Sequence, residues 1–370
     1  MRVSGLHIYR TRLRCRKPFR IATGVSDLCQ GLVVKLEDDA GHVGLGEAVP
    51  KPSLTGETLE GAEAALCQEI FPLLRGMDAW ALEEIHGRLE AAVPDHPSAR
   101  AAVDMALHDL LGRTAGVPLY RFLGGSCRRV LTNYSIGLCS PGEAAAEARH
   151  ILDQGFRVIK LKVGGDADED VARARAVREV AGPGVALRID ANEGWTYRAA
   201  LRALRSMEPL DIELVEQPLP RWDLDGMAAL RRRVAIPVAA DESVRGPRDA
   251  LRAIRARAVD IINIKLMKCG GLVPARRIAT LARCAGVELM VGGMVGESRL
   301  AVGAAASLAA ALGFEYADLD ADLLLGDELV LEGGVALDRS ERVLPEAPGL
   351  GVGELEARFL FESAEYLPAG

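Results

Sequence analysis

The sequence predicts an α/β fold, an eight-stranded parallel barrel joined to a smaller α+β domain on its N-terminal side. Three observations predict it. From about Leu131 onward, short apolar runs alternate with helical patterns, and eight such runs can be counted. Polar residues close successive runs at a steady beat: Lys162, Asp190, Glu216, Asp241 and Lys265 follow one another at spacings of 28, 26, 25 and 24 residues. Before residue 125 that alternation is absent, and hairpin and helix patterns come in blocks instead. A doubly wound sheet would need a glycine-rich phosphate turn, and none is found.

Taken in order, Val3 to Leu13 alternates as a strand does, and Gly31 to Glu47 reads as a hairpin turning at Asp38-Asp39-Ala40-Gly41. Helical patterns follow over Glu57 to Leu74, Ala79 to Ala92 and Ser98 to Thr114, the last with Ser98 as its N-cap after Pro97. Lys17 to Asp27 and Pro50 to Gly56 are rich in Gly, Pro, Ser and Thr and read as loops able to cover a neighbouring site. The barrel strands are expected at Leu131–Gly137, Val158–Val163, Ala186–Ala191, Ile212–Gln217, Val238–Glu242, Ile261–Leu266, Leu289–Gly293 and Phe314–Asp320. The expected division is an α+β domain over 1–125, the barrel over 126–324, and a C-terminal segment, 325–370, that returns to the first domain.

Composition narrows the function. A chain of 370 residues that is 49% hydrophobic can bury a large core, and its net charge of -7 argues against nucleic acid or an anionic membrane as partner. The seven cysteines are scattered and show no CxxC, which fits a reducing, cytoplasmic setting without disulfides or a zinc site. The six histidines show neither HxH nor HExxH spacing. The basic N-terminus lacks the apolar core of a signal peptide, and Leu300 to Leu312 is too short to span a bilayer.

The chemistry sits at the strand ends, where parallel barrels place their sites. Strand two carries Lys160 and Lys162 on one face, and two adjacent ammonium groups repel, which favours holding one of them partly unprotonated. A lone KxK would read as an edge strand with solvated lysines; the acids that follow at regular spacing overturn that. Asp190, Glu216 and Asp241 close three adjacent strands, so they converge and need a cation, and an all-oxygen set suits Mg2+. Strands two and six are diametrically opposed, so Lys162 and Lys265 face each other across the mouth. One amine can remove an α-proton while the other delivers a proton to the opposite face. Asp318 and Asp320 close strand eight opposite the metal side and suit a cationic substrate group.

These motifs, KLK, DANEGW, VEQP, ADES and NIKLMKCGG, with GEAVPKP and ARAAVDMALHDL upstream, resemble the enolase superfamily in its muconate-lactonising branch over nearly the whole chain. The resemblance implies a (β/α)7β modified TIM barrel with an N-terminal α+β capping domain. It implies Asp190, Glu216 and Asp241 as Mg2+ ligands, Lys162 and Lys265 as acid/base catalysts, and Lys160 as the group that tunes Lys162 and helps stabilise the enolate. Enolase-type sites pair a Lys or His base with Mg2+. Within the branch, YADLD looks like the DxD of dipeptide epimerases, which binds the substrate's α-ammonium through Asp318 and Asp320.

The expected reaction is epimerisation of an L,L-dipeptide at the α-carbon of its C-terminal residue. Further candidate substrate contacts are Arg20 and Thr23 in the first covering loop, Ser135 on strand one, Asn192 after strand three, Lys268 after strand six and Glu297 after strand seven. Arg299 either touches substrate or caps the helix that follows it. An N-acylamino-acid racemase or a muconate-type cycloisomerase would use the same metal and lysines without needing the strand-eight pair. A non-catalytic Mg2+-dependent binder would need neither lysine. Assembly into a closed homo-oligomer is the general expectation.

Overall fold

The first and last strands of the chain lie side by side. In this computed structural model, which describes residues 1–366, the strand Leu360–Tyr366 pairs antiparallel with Val3–Ile21. The latter pairs with Gly24–Asp38, and that in turn with Val43–Ala48, to make a four-stranded antiparallel sheet. Alternation gives the sheet two buried faces. Leu6, Ile8, Leu32, Val34 and Leu36 pack against the helical segments that follow, whereas Leu13, Cys15, Cys29 and Val33 join the core of the barrel.

Helix Pro97–Ala115 is buried through almost its whole length because it lies between that sheet and the barrel. Its backbone rests directly on strand Val43–Ala48. A Cβ at Gly46 would come within 1.9 Å of the Ala102 carbonyl oxygen, so only glycine allows the approach. The expected Ser98 cap is not the one formed. His96 holds the N-cap position and Pro97 opens the helix, while the Glu57 carboxylate accepts from the amides of Ser98 (2.9 Å) and Ala99 (3.3 Å). A charged acceptor from another segment thus replaces the local hydroxyl.

The segment from Lys17 to Asp27 also departs from expectation. It is the tip of a long hairpin rather than an irregular loop, because pairing lost at a bulge after Arg14 resumes at Phe19–Ser26, Arg20–Val25 and Ile21–Gly24.

Eight parallel strands form the second sheet in sequence order: Tyr134–Ile136, Val158–Lys162, Ala186–Asp190, Ile212–Glu216, Val238–Ala240, Ile261–Ile264, Glu288–Gly292 and Tyr316–Asp318. Seven helical crossovers join them, a (β/α)7β arrangement. Strand one is shorter than expected. Arg129–Leu131 leaves the barrel to pair with Glu341–Val343, and only Tyr134–Ile136 enters it. Between strands eight and one the contacts run through side chains: Leu319 N donates to Thr132 Oγ1 (2.8 Å), Asn133 Nδ2 to Asp318 Oδ1 (2.7 Å), and Ser135 N to Asp320 Oδ2 (2.6 Å). The seam of the barrel is therefore built from the residues that line its mouth. No helix among the described residues is long and apolar enough to cross a membrane.

Candidate active site

Strand register brings the predicted residues to one level. Lys162 lies beside Asp190, and Asp190 beside Glu216. Glu216 lies beside Ala239 of strand five, and Asp241 follows two residues later on the same face. Lys265 directly follows strand six, and Asp318 ends strand eight beside Gly292. The turns after strands three and four hold Asn192, Glu193 and Gln217 at positive φ (41°, 68° and 36°). Such conformations cost on the order of 1 kcal/mol or more each and cluster where a site needs them. Here they let Asn192 N donate to Asp190 Oδ1 (2.9 Å) and Gln217 Oε1 accept from Asp241 N (3.0 Å).

Lys160 is fully buried and its Nζ lies 2.5 Å from Asp318 Oδ2, 2.7 Å from Glu216 Oε2 and 2.9 Å from Asp190 Oδ2. The expectation that repulsion from Lys162 would leave one of the two lysines partly unprotonated is corrected for Lys160. Burial works against its charge, but three carboxylates outweigh both burial and repulsion and raise its pKa well above the ordinary lysine value. Lys162 Nζ pairs with Asp190 (2.6 Å) and Lys265 Nζ with Asp241 (2.8 Å). Burial opposes the Lys265 charge too, and Asp241 then Glu216 more than restore it. Among the acids, burial and the Asp190 charge push Glu216 up to about 7. For Asp190 and Asp241, neighbouring lysines overcome burial and hold both below the carboxylate range.

This donor set fits a hard divalent cation. Glu216 Oε2 and Asp241 Oδ2 are buried oxygens without an aligned hydrogen bond, although an ammonium lies within 2.8 Å of each. Among the described residues no three His, Cys, Asp or Glu side chains already close on one point, and the Lys160 ammonium lies between Asp190 and Glu216. Three buried carboxylates at one level of adjacent strands supply the charge and oxygen donors that Mg2+ takes.

A cavity of about 300 Å³ opens over these groups. Lys162, Lys265, Asp241, Asp318 and Asp320 line it, as do Thr23, Ser135 and Asn192. Four expectations need correcting. Arg20 projects from the opposite side of its strand to Phe19 and Ile21, and lines a separate groove with Lys17 and Glu147. Lys268 does not line the cavity; its ammonium is held behind Asp241, on the carboxylate and the backbone carbonyl of that residue. Glu297 is buried beneath the Met294 turn, accepting from Met294 N at 3.0 Å, and burial together with the Glu47 charge pushes it up to about 8. Arg299 turns away from the site and donates to the carbonyls of Val330, Gly333 (3.2 Å) and Val335 (3.3 Å), tying down the C-terminal segment.

Other cavity residues were not anticipated. Phe19, Ile21, Leu54 and Met294 give it an apolar side, and Lys51, Glu242 and the ion pair Glu193–Arg221 add ionisable groups. Asn133, whose amide contacts both Asp318 and Asp320, stands two residues before Ser135, so alternation along strand one was a usable signal for it.

Residues 143–357 match the family described as enolase C-terminal domain-like, and residues 5–124 match the mandelate racemase / muconate lactonizing enzyme N-terminal domain. The chain is 38% identical over 355 residues to a hydrophobic dipeptide epimerase of Enterococcus faecalis, covering 95% of this chain and 99% of that protein. A substrate-liganded complex of the L-Ala-D/L-Glu epimerase from Bacillus subtilis superposes with a TM-score of 0.93 at 38% identity, over 96% of this chain and 100% of that one. A dipeptide epimerase from Enterococcus faecalis complexed with Mg and L-Leu-L-Tyr superposes with the same score at 37% identity and the same coverage.

Proposed function

We propose that this chain, which belongs to the mandelate racemase / muconate lactonizing enzyme family of the enolase superfamily, epimerises dipeptides with two lysines, one removing the α-proton and the other delivering its own proton to the opposite face. It is a Mg2+-dependent dipeptide epimerase, an isomerase acting on amino-acid derivatives. Asp190, Glu216 and Asp241 would hold the metal. Bound there, Mg2+ would neutralise the substrate carboxylate and the charge that builds on it when the α-proton leaves.

Lys162 and Lys265 line one cavity from strands two and six, four positions apart in an eight-stranded barrel. That opposition is the observation that carries the reading. With the α-carbon of the C-terminal residue between them, one amine takes the proton from one face and the other ammonium returns one to the opposite face, inverting the centre. Lys160, whose pKa three carboxylates raise well above the ordinary lysine value, ties the acids that would hold the metal to Asp318. Asp318 and Asp320 receive the free amino terminus, with Asn133 and the Ser135 amide fixing their orientation. The hairpin tip and the 49–56 loop exclude water from above.

Proton NMR in D2O tests this reading, with Mg2+, pooled L,L-dipeptides and separate N-succinyl amino acids. Loss of a C-terminal α-proton signal with new diastereomer peaks is the expected result. Exchange confined to the N-succinyl pool would transfer the assignment to a racemase. A cytoplasmic setting belongs to the same proposal, supported by seven free cysteines, as does association with copies of itself rather than with nucleic acid.

A further inference from the structure

We propose that Cys15 and Cys29 form a reversible oxidation site at the neck of the hairpin that covers the cavity, the two thiols closing to a disulfide when a hydroperoxide arrives. The inference lies outside the epimerase reading, because its chemistry uses none of the groups assigned to proton transfer.

Strand pairing brings the two thiols together. Cys29, on strand Gly24–Asp38, lies opposite Leu13 of strand Val3–Ile21, and Cys15 follows Leu13 by two residues on the same face. That makes the cysteines diagonal neighbours. Their sulfurs are 3.9 Å apart within the core, and both thiols are free. A disulfide brings the sulfurs to about 2 Å, an approach open to side-chain rotation between neighbouring strands. The hydrogen bond between them draws Cys29 down to about 7 and pushes Cys15 up. Burial opposes the Cys29 thiolate, and the Lys51 ammonium favours it. One thiolate beside one thiol is an arrangement that reacts with peroxide and then resolves.

A small oxidant has a route to the sulfur. Cys29, Val49, Lys51 and Leu59 line a separate cavity of about 260 Å³. The Cys29 thiolate attacks one oxygen of the hydroperoxide and the O–O bond breaks, giving a sulfenic acid. The other oxygen leaves as water or an alcohol with the proton that Cys29 gave up. The Cys15 sulfur then attacks Cys29; the S–S bond forms, the S–O bond breaks, and hydroxide departs with the Cys15 proton as water. The two thiols together lose two electrons, and the hydroperoxide is reduced by two.

The bond crosses the place where the hairpin changes partners. Beyond Arg14–Leu28 the strand pairing stops at a bulge and resumes only at Phe19–Ser26. In that gap the chain is tied to the C-terminal segment instead. Cys15 makes a backbone bridge to Leu325, Gly326 N donates to the Arg14 carbonyl (2.8 Å), and Arg16 Nε donates to that of Leu323 (2.9 Å). Joining Cys29 to this fixed point restrains the returning arm, whose Gly24, Val25 and Ser26 line the active-site cavity. Cys29 also rests on the turn after strand seven. A Cβ at Gly296 would come within 2.9 Å of its Cβ, and the same turn carries Met294 into the cavity. Substrate has to pass beneath this hairpin, so the oxidised enzyme admits and releases it slowly.

The test treats the intact protein with hydrogen peroxide, alkylates the remaining thiols in denaturant and maps the peptides by mass spectrometry. A Cys15–Cys29 disulfide is expected, with most dipeptide turnover lost and then restored by dithiothreitol. Cys29→Ala should leave Cys15 alkylated and keep its turnover in peroxide. Cys15→Ala should hold Cys29 as a sulfenic acid that dimedone captures. Alkylation of both Cys15 and Cys29 after peroxide, or pairing of either with the exposed Cys127 or Cys284, overturns the site. A Cys15–Cys29 disulfide that leaves turnover unchanged, or a loss of turnover that persists in Cys29→Ala, overturns its hold on the hairpin. The peptide map needs no substrate, so absence of exchange with every dipeptide would sink the epimerase reading and leave the disulfide to be judged by the map alone.

Discussion

Lys160 on barrel strand two and Asp318 at the end of strand eight form an ion pair with Nζ 2.5 Å from Oδ2, and the same ammonium reaches Asp190 and Glu216. One buried cation thus links the carboxylates that would hold the metal to the end of the site that would hold the substrate's amino terminus.

Lys160→Met should accordingly damage more than the chemistry. Removing one partner from a buried ionic cluster costs about 3–5 kcal/mol, because the remaining charges lose their counter-ion. We expect a large drop in melting temperature in EDTA, with partial recovery on adding Mg2+, because the metal supplies positive charge to the same acids. Native enzyme in EDTA should stay folded and lose exchange activity. Differential scanning calorimetry with and without Mg2+ checks both statements.

Single replacement of either proposed acid/base lysine should separate exchange from inversion. Lys162→Ala and Lys265→Ala are each expected to lose epimerisation by about 10²–10⁴-fold. Each should still wash the α-proton of one stereoisomer into D2O, and the two variants should choose opposite stereoisomers. If both variants exchange the same stereoisomer, the two-base arrangement is wrong.

The strand-eight aspartates should matter in proportion to the substrate's free amine. Asp318→Asn with Asp320→Asn should raise KM for dipeptides by about tenfold or more, since charged hydrogen bonds are worth roughly 1.5–3 kcal/mol. Any activity on N-succinyl amino acids should fall much less. Steady-state kinetics on matched substrate pairs decide it.

Stability should decline as pH rises from about 5 to 8. Burial pushes Glu47 up to about 7 even though its carboxyl accepts from Ser298 N, Ser298 Oγ and Ala301 N. The folded protein therefore keeps a proton that the unfolded chain releases above its ordinary value near 4.5, and folding loses ground through that window. Burial works against the His108 charge, but Asp104 outweighs it and raises the pKa; that stabilisation is complete below 6.5 and lost as pH rises through the folded value. The two effects share a sign. Urea denaturation at several pH values should show the decline, and Glu47→Gln should flatten it by about 3 kcal/mol.

The barrel and the identity of its acids and lysines were legible because a period of two along each strand and a steady spacing between strands are written in the chain itself. Asp190, Glu216 and Asp241 could be assigned to one level from spacing alone, and strand register brings them there. Arg20 was misassigned because a loop was expected where the chain continues as strand, and one residue of alternation decides which face a side chain takes. Lys268 and Glu297 stand at the right places in the sequence but are drawn off by Asp241 and the Met294 amide, partners whose reach depends on packing.

Lys51 shows the remaining division most clearly. Its position in a Pro-rich loop says nothing about its neighbours; only the folded chain brings it into the cavity that Lys162 and Lys265 line, with Ser26 Oγ as its hydrogen-bond acceptor at 3.2 Å. The sequence by itself determined the architecture and the placement of the three acids and two opposed lysines at the strand ends, because those follow from local periodicity repeated along the barrel. The tertiary structure decided which charges are answered and which face the cavity, because Coulomb energy and desolvation depend on distances between segments far apart in the chain.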